Sequence, residues 1–331
     1  MAQLRVSVVI AAYNSTWCVE RALTSVMTQT RLPDEVLVCD DGSTDGTPDL
    51  VEDRYGPPVA VLRLPHRNAS ASRGEGLGRA TGDWLAMMDA DDVWFPEKLE
   101  RQLDFITRHP EIRLVTSDGI LESAEGVIRE SWFSDYFDPV RDIVGDLAPL
   151  VIERCFLLLS STMVERSVYR EAGGMDPEFA HSYDYDLWVR VLSRHPGGLM
   201  AEPLVSYFSS PGGLSRDYEA RARDDLRIMR ELERDGRPDL RRRAALRAVL
   251  LEFNLGLMCL RGGRFAEGRA RMRRSLARGP MGRRLMAAAG SLVPDRAVGW
   301  LMRSNWLKRR VARSRESRGR LILGDGTRDA A

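Results

Sequence analysis

Apolar and polar positions fall into alternating blocks from the start of the chain. Val6-Ser7-Val8-Val9-Ile10-Ala11-Ala12 is a short, nearly unbroken apolar run, the pattern of a strand buried on both faces. Tyr13-Asn14-Ser15 reads as a turn, and residues 17–29 as a helix. Residues 35–40 form the next strand, followed by the polar loop Asp41-Gly42-Ser43-Thr44-Asp45-Gly46. Thr47 is placed to cap a helix, with Pro48 at its first position. Residues 59–64 are a third strand and 69–80 a loop and helix; the apolar run 84–88 is a fourth strand. Strand and helix alternate, which predicts an α/β fold with a doubly wound, mostly parallel sheet.

The pattern then loosens. A helix is predicted from Pro96 to about residue 108, strands at 114–117 and 127–128, and loop and helix over 138–153. Residues 157–164 look like a half-buried strand, 165–172 a helix stopped by Gly173-Gly174, 185–194 another helix, and 205–208 a last strand. Beyond Tyr218 the composition shifts to Arg, Leu and Ala with helical periodicity, so the expected domains are 1–220 and an α-helical, basic extension over 221–331. Gly256, Gly263, Met272 and Pro280 sit near the spacing of one tetratricopeptide hairpin. A single repeat cannot bury its own face, so it is expected to pack on the body. Residues 285–313 are basic and amphipathic, with Trp300, Leu301, Trp306 and Leu307 interleaved with Arg303, Lys308, Arg309 and Arg310. From about Ser314 disorder is expected, apart from Leu321-Ile322-Leu323.

Charge sharpens this division. The 331 residues carry a net charge of +1, yet residues 221–331 hold 29 basic and 12 acidic residues against 20 and 36 before them. An acidic body suits cation binding; a basic extension suits an anionic membrane or the body itself. No nucleic-acid-binding module accompanies the charge, so no nucleic-acid partner is expected. Cys18, Cys39, Cys155 and Cys259 show no paired spacing and fit a reduced compartment. There is no signal-peptide pattern and no run of the ~18–20 apolar residues that spans a bilayer. The expected location is cytoplasmic, with peripheral attachment to the inner face of the plasma membrane through the basic segment.

The strongest chemical signal ends the fourth strand. Asp89-Ala90-Asp91-Asp92 places three carboxylates at the carboxyl end, where open α/β sheets bind their ligands. Acids so close repel one another, and Mg²⁺ or Mn²⁺ suits such an all-oxygen site. With residues 7–14 and Asp40-Asp41-Gly42-Ser43-Thr44-Asp45-Gly46-Thr47, this acidic run resembles the motifs of family 2 glycosyltransferases. The resemblance covers roughly residues 4–216. It implies a GT-A fold, a nucleotide-sugar donor (a UDP-sugar is favoured), and transfer with inversion to a glycan or lipid-linked acceptor in surface-polysaccharide assembly.

The resemblance also implies roles for residues. Ala12, Tyr13 and Asn14 would border the nucleotide base, and Asp41 would accept a hydrogen bond from it. Arg73 would lie near the diphosphate, Asp89 would reach the ribose or the metal, and Asp91 would ligate the metal, with Asp92 in support. Tyr183-Asp184-Tyr185-Asp186-Leu187-Trp188 stands where the family commonly has an acid pair, an aromatic, then Asp-Leu-Trp. Tyr183 replaces the first acid. Asp184 would be the general base, Asp186 would orient the loop, and Trp188 fits the core better than a sugar platform. The family often carries a metal-binding His after its last strand. Residues 207–216 contain none, and the chain's four histidines show no ligand spacing. The metal would then lean on Asp91, diphosphate and water.

Each motif has a plainer explanation. Residues 40–47 could be a turn before a capped helix, Asp89–Asp92 a solvated loop, Arg73 a surface arginine, and Asp184 the cap of a helix starting at Tyr185. Three motifs in order favour the chemical reading. The rivals are a nucleotidyltransferase of similar fold, whose Gly-rich basic loop is missing after the first strand, and an inactive nucleotide-binding scaffold.

Overall fold

The computed structural model describes residues 4–209 and 217–278. The periodicity of the first ninety residues is realised directly. Strands β1 (Val6–Ala12), β2 (Glu35–Asp40), β3 (Val59–Arg63) and β4 (Trp84–Asp89) pair in parallel in the order β3-β2-β1-β4. Helices α1 (Val19–Met27), α2 (Thr47–Arg54) and α3 (Ala69–Arg79) are the crossovers. Val8, Val9 and Ile10 are fully buried, which explains why β1 is apolar on both faces. Helix α3 lies close to the sheet because Gly76 has no Cβ: one placed there would collide with Cys39 Sγ and the Val9 side chain.

Beyond β4 come the short β5 (Val93–Trp94), α4 (Lys98–Arg108), β6 (Leu114–Ser123) and β7 (Gly126–Arg129). They are followed by β8 (Ile143–Gly145), α5 (Ala148–Glu153), β9 (Thr162–Glu165), α6 (Arg166–Glu171), α7 (Tyr183–Leu192) and β10 (Gly197–Phe208). The sheet continues past β4 as β9-β6-β10-β5. Strand β9 runs antiparallel to both neighbours, whereas β6 and β10 are parallel. The pairing of β10 with β6 shifts register twice, on either side of Pro203. The architecture is that of the GT-A fold, a mixed, mostly parallel sheet between helices.

Several predicted boundaries move. The cap of α2 is Gly46, at φ +88°, and Thr47 is already helical. Residues 157–164 are strand only from Thr162; Leu159–Ser161 is a 3-10 turn. Their hydroxyls bond to the turn and to the acidic loop, which diverts this apolar stretch from the ladder. Helix α7 begins at Tyr183 rather than Tyr185, with Ser182 as its cap residue. The strand predicted at 114–117 is the first part of the longer β6 and that at 205–208 the last part of the longer β10, and β5 and β8 were not foreseen.

The chain divides into two compact units between Gly213 and Leu214. In the second, α8 (Tyr218–Asp235), α9 (Pro238–Arg261) and α10 (Phe265–Arg278) form a helical array. Gly256 lets α9 and α10 approach: a Cβ there would sit 3.1 Å from Met272. Glu252 is buried and paired with Arg230 and with Arg271 at 3.1 Å. Among the described residues no helix is long and apolar enough to cross a membrane. Pro280, the amphipathic segment 285–313, Leu321-Ile322-Leu323 and the His-free stretch from residue 210 to 216 lie outside the described residues.

Candidate active site

The register of the sheet assembles the site. Ala12 pairs with Asp40, and Ala11 with Asp89, so the carboxyl ends of β2, β1 and β4 lie level. Ala12 is buried, and its carbonyl accepts the Asp41 N–H at 2.9 Å. Tyr13, 47% exposed, stacks on His66 at 4.4 Å between ring centroids. Asn14 holds φ +49°, a conformation Asn tolerates. Its side chain accepts the Thr44 N–H at 2.9 Å and its own N–H donates to Ser43 Oγ at 2.9 Å, so it ties the two loops together.

Asp41 is almost buried. Its Oδ1 accepts the Arg67 N–H at 3.0 Å and its Oδ2 lies 2.9 Å from His66 Nδ1. Gly42, at φ +75°, makes room for this: a Cβ would stand 2.9 Å from His66 N. Sequence reasoning missed His66, because a lone histidine beyond a strand carries no spacing signal.

Asp45 fastens the neighbouring loop. It accepts from Thr16 N–H at 3.0 Å and from the Thr47 hydroxyl at 2.6 Å. Burial would raise its carboxyl, but the bonds from Thr47 and Thr16 outweigh that and hold it at about 2, against an ordinary 3.8. A depressed carboxylate adds stability above its unfolded pKa and loses it as pH falls through the folded one. Asp45→Asn is therefore expected to flatten the stability loss between about pH 4 and pH 2. Urea denaturation at pH 5 and pH 3 checks this; an unchanged acid limb would sink the assignment.

Arg73 lies on α3 and is fully buried. Its Nη2 pairs with Asp89 Oδ1 and its Nη1 donates to the Tyr183 hydroxyl at 2.8 Å. Burial alone would weaken the guanidinium charge; Tyr183 and Asp89 reverse this and keep it protonated. Arg73 is therefore not a surface arginine. Its charge is directed at Asp89. Tyr183, at the position of the missing acid, serves as its neutral partner.

The acidic loop is crowded. Burial, and then the charge of Asp89, push the Asp91 carboxyl up to about 6. Burial, then Asp89 and Asp91, hold Asp92 well above the usual carboxylate range. Asp92 Oδ1 accepts the Phe208 N–H at 2.9 Å, and its Oδ2 accepts the Ser160 hydroxyl. Ser160 in turn accepts the Asp89 N–H at 2.9 Å, so one hydroxyl from the 3-10 turn fixes both ends of the acidic run. The run of small hydroxyl residues from 160 to 162 was the only sequence signal for it. Asp89, 34% exposed and with Arg73 on its Oδ1, and the partly buried Asp91 offer hard oxygen donors, which fits Mg²⁺ or Mn²⁺. Among the described residues no third Asp, Glu, His or Cys joins them in a metal-binding group.

Asp184 occupies the first turn of α7 rather than its cap. The Tyr185 N–H donates to its Oδ1 at 2.8 Å. Its neighbour Tyr183 bonds to Arg73, which links the start of α7 to Asp89. Asp186 pairs with Arg190, whose Nη2 donates to the Gly174 carbonyl at 2.8 Å, so it braces the Gly173-Gly174 turn. Trp188 is completely buried, which rules out a sugar platform there. A separate cleft of about 790 Å³, lined by Asp83, Trp84, Glu100 and Arg166 among others, opens at the amino-terminal end of β4 and contains none of these residues.

Comparison with known proteins agrees with the fold. The model of glycosyl transferase family 2 matches residues 7–158. An uncharacterized glycosyltransferase of Rickettsia felis is 30% identical over 202 residues, 60% of this chain and 32% of its own length. The succinoglycan biosynthesis protein ExoO of Rhizobium meliloti is 39% identical over 100 residues, 30% of this chain and 29% of its own length. The chain thus matches about a third of the length of these relatives. The structure of S. aureus TarS 1-349 in complex with UDP-GlcNAc superposes with TM-score 0.67 and 16% identity, covering 91% of this chain and 92% of that one. The mannosyltransferase PcManGT of Pyrobaculum calidifontis, in complex with GDP-Man and Mn²⁺, gives TM-score 0.57 and 18% identity, covering 90% and 84%. Motifs, fold and matches together relate residues 7–158 of this chain to glycosyl transferase family 2.

Proposed function

We propose that the protein transfers a sugar from a nucleotide-sugar donor to a glycan or lipid-linked acceptor, with inversion, in the assembly of a surface polysaccharide. The observation that carries this reading is the convergence of Asp41, Asp89 and Asp91 at one sheet edge, joined to the start of α7 through Arg73 and Tyr183. Tyr13 would stack on the base, and Asp41, an acceptor-only carboxylate, suits the N–H of a pyrimidine, which favours a UDP-sugar. TarS and PcManGT with their nucleotide-sugars support the donor class, and ExoO supports the polysaccharide setting.

Asp91 and Asp89 would hold a divalent ion. When bound, it neutralises the diphosphate and makes it a better leaving group. Asp184 would take the proton of the acceptor hydroxyl as that oxygen bonds to the anomeric carbon from the face opposite the diphosphate. The bond from the anomeric carbon to the phosphate oxygen breaks, its electron pair leaves with the nucleoside diphosphate, and the configuration inverts. Residues 1–220 would form the catalytic domain. The basic extension over 221–331 would touch an anionic membrane from the cytoplasmic side.

The test is nucleotide release from UDP-, GDP- and dTDP-sugars with Mn²⁺, Mg²⁺ or EDTA. One donor is expected to turn over, with activity lost in EDTA and reduced at least about 10³-fold in Asp91→Ala. Full activity in EDTA, or in Asp91→Ala, would refute the metal-dependent reading.

A further inference from the structure

The aromatic residues beside the acidic loop have no part in the chemistry above. Phe133, Phe137 and Phe156 are buried and pack edge to face, with centroids 4.9–5.9 Å apart. Over them lie three half-buried rings: Trp132 stands 5.6 Å from Tyr136 and 6.0 Å from Tyr207. Tyr207 immediately precedes Phe208, whose N–H bonds to Asp92. On the other side, the Trp132 indole N–H donates to the Phe156 carbonyl at 2.8 Å. Phe156 follows α5, and the end of α5 is bound by the hydroxyl of Tyr185, the residue after Asp184. The rings therefore lie between the strand end that holds the acidic loop and the helix that carries Asp184.

Trp132 is held with unusual rigor for a half-buried residue. Its own N–H donates to the Gly119 carbonyl at 2.7 Å. On either side of it, the Ser131 hydroxyl and the Phe133 N–H both donate to Asp118, a buried carboxylate. A buried acid that fixes the residues flanking an accessible indole costs desolvation, which packing of the core does not require. It does pre-organise a flat apolar surface, the property that makes an aromatic side chain a binding anchor. The chemistry that matches such a face is a pyranose ring, whose axial C–H bonds present a weakly positive apolar side to the negative π-face. Its edge hydroxyls need polar partners, and Ser134 and the exposed Asp135, paired with Arg129, lie on the same segment.

We propose that Trp132, with Tyr136 and Tyr207, is a stacking platform for a pyranose ring of the acceptor glycan. The identification of that glycan as acceptor rests on the function proposed above; the binding of the ring does not.

Saturation-transfer NMR on the full chain tests it, with a panel of glucose, galactose, mannose and N-acetylglucosamine oligosaccharides as probes. At least one is expected to receive saturation on its ring C–H protons. Trp132→Ala should weaken that binding about tenfold, and Trp132→Phe, which keeps a ring face, should restore most of it. If Trp132→Ala does not fold, Tyr136→Leu decides the matter, with an expected loss of about threefold or more. No binding by any oligosaccharide, or unchanged affinity in the folded variants, overturns the platform. Nucleotide release by the unmodified protein is scored separately. Its absence would count against the proposed transferase and leave the NMR result to judge the platform.

Discussion

Asp184→Asn is expected to lower kcat by about 10²–10⁴-fold, the usual contribution of a positioned general base. The amide keeps the size of the side chain and an oxygen for the Tyr185 N–H, now bonded at 2.8 Å. What it loses is basicity. It also gives up the favourable placing of a negative charge in the first turn of α7, worth about 0.3–1 kcal/mol. Donor affinity should therefore hold while turnover collapses. Steady-state kinetics with acceptor, paired with calorimetric titration of the donor, separates the two. Normal turnover by this variant would remove Asp184 from the mechanism.

A second large effect concerns stability. Asp89→Ala should destabilise the fold by about 3–5 kcal/mol, because it leaves the buried Arg73 without its counter-charge. Arg73→Met should cost less, about 1–2 kcal/mol. The asymmetry follows from exposure: the Asp89 side chain is 34% exposed and can be hydrated when its partner goes, whereas that of Arg73, at 1%, cannot. The double variant should be more stable than Asp89→Ala alone, since it removes the stranded charge. Urea denaturation of the three variants completes the cycle. Equal losses in the two single variants would mean that the pair is solvated in solution and carries no buried charge.

The first four strands were legible because each is a compact apolar run bounded by turn residues, and the acids at their ends follow from the same pattern. Two kinds of information were not. One is which partner a side chain takes across the chain. Arg73 and Tyr183 are 110 positions apart, and no local spacing announces that one hydroxyl completes the other's surroundings. The other is what hydroxyl side chains do in an apolar stretch. Residues 157–164 have the composition of a strand, yet Ser160 and Ser161 bond to nearby backbone and to Asp92, and the ladder begins only at Thr162. Asp118 was silent for a similar reason, since a lone acid within a strand gives no hint that it will gather the segment around Trp132.

The irregularity of β10 around Pro203 reaches further than its own strand. Side chains along a strand alternate between faces, so the two register shifts before Val205 determine which of the last two residues meets Trp132 and which meets Trp17. Adding or deleting one residue between Met200 and Val205 would exchange the facings of Tyr207 and Phe208 together with those of the buried Val205 and Ser206. The length of that bulge is thus tied both to the core packing of Val205 and to the position of Tyr207 in the proposed platform.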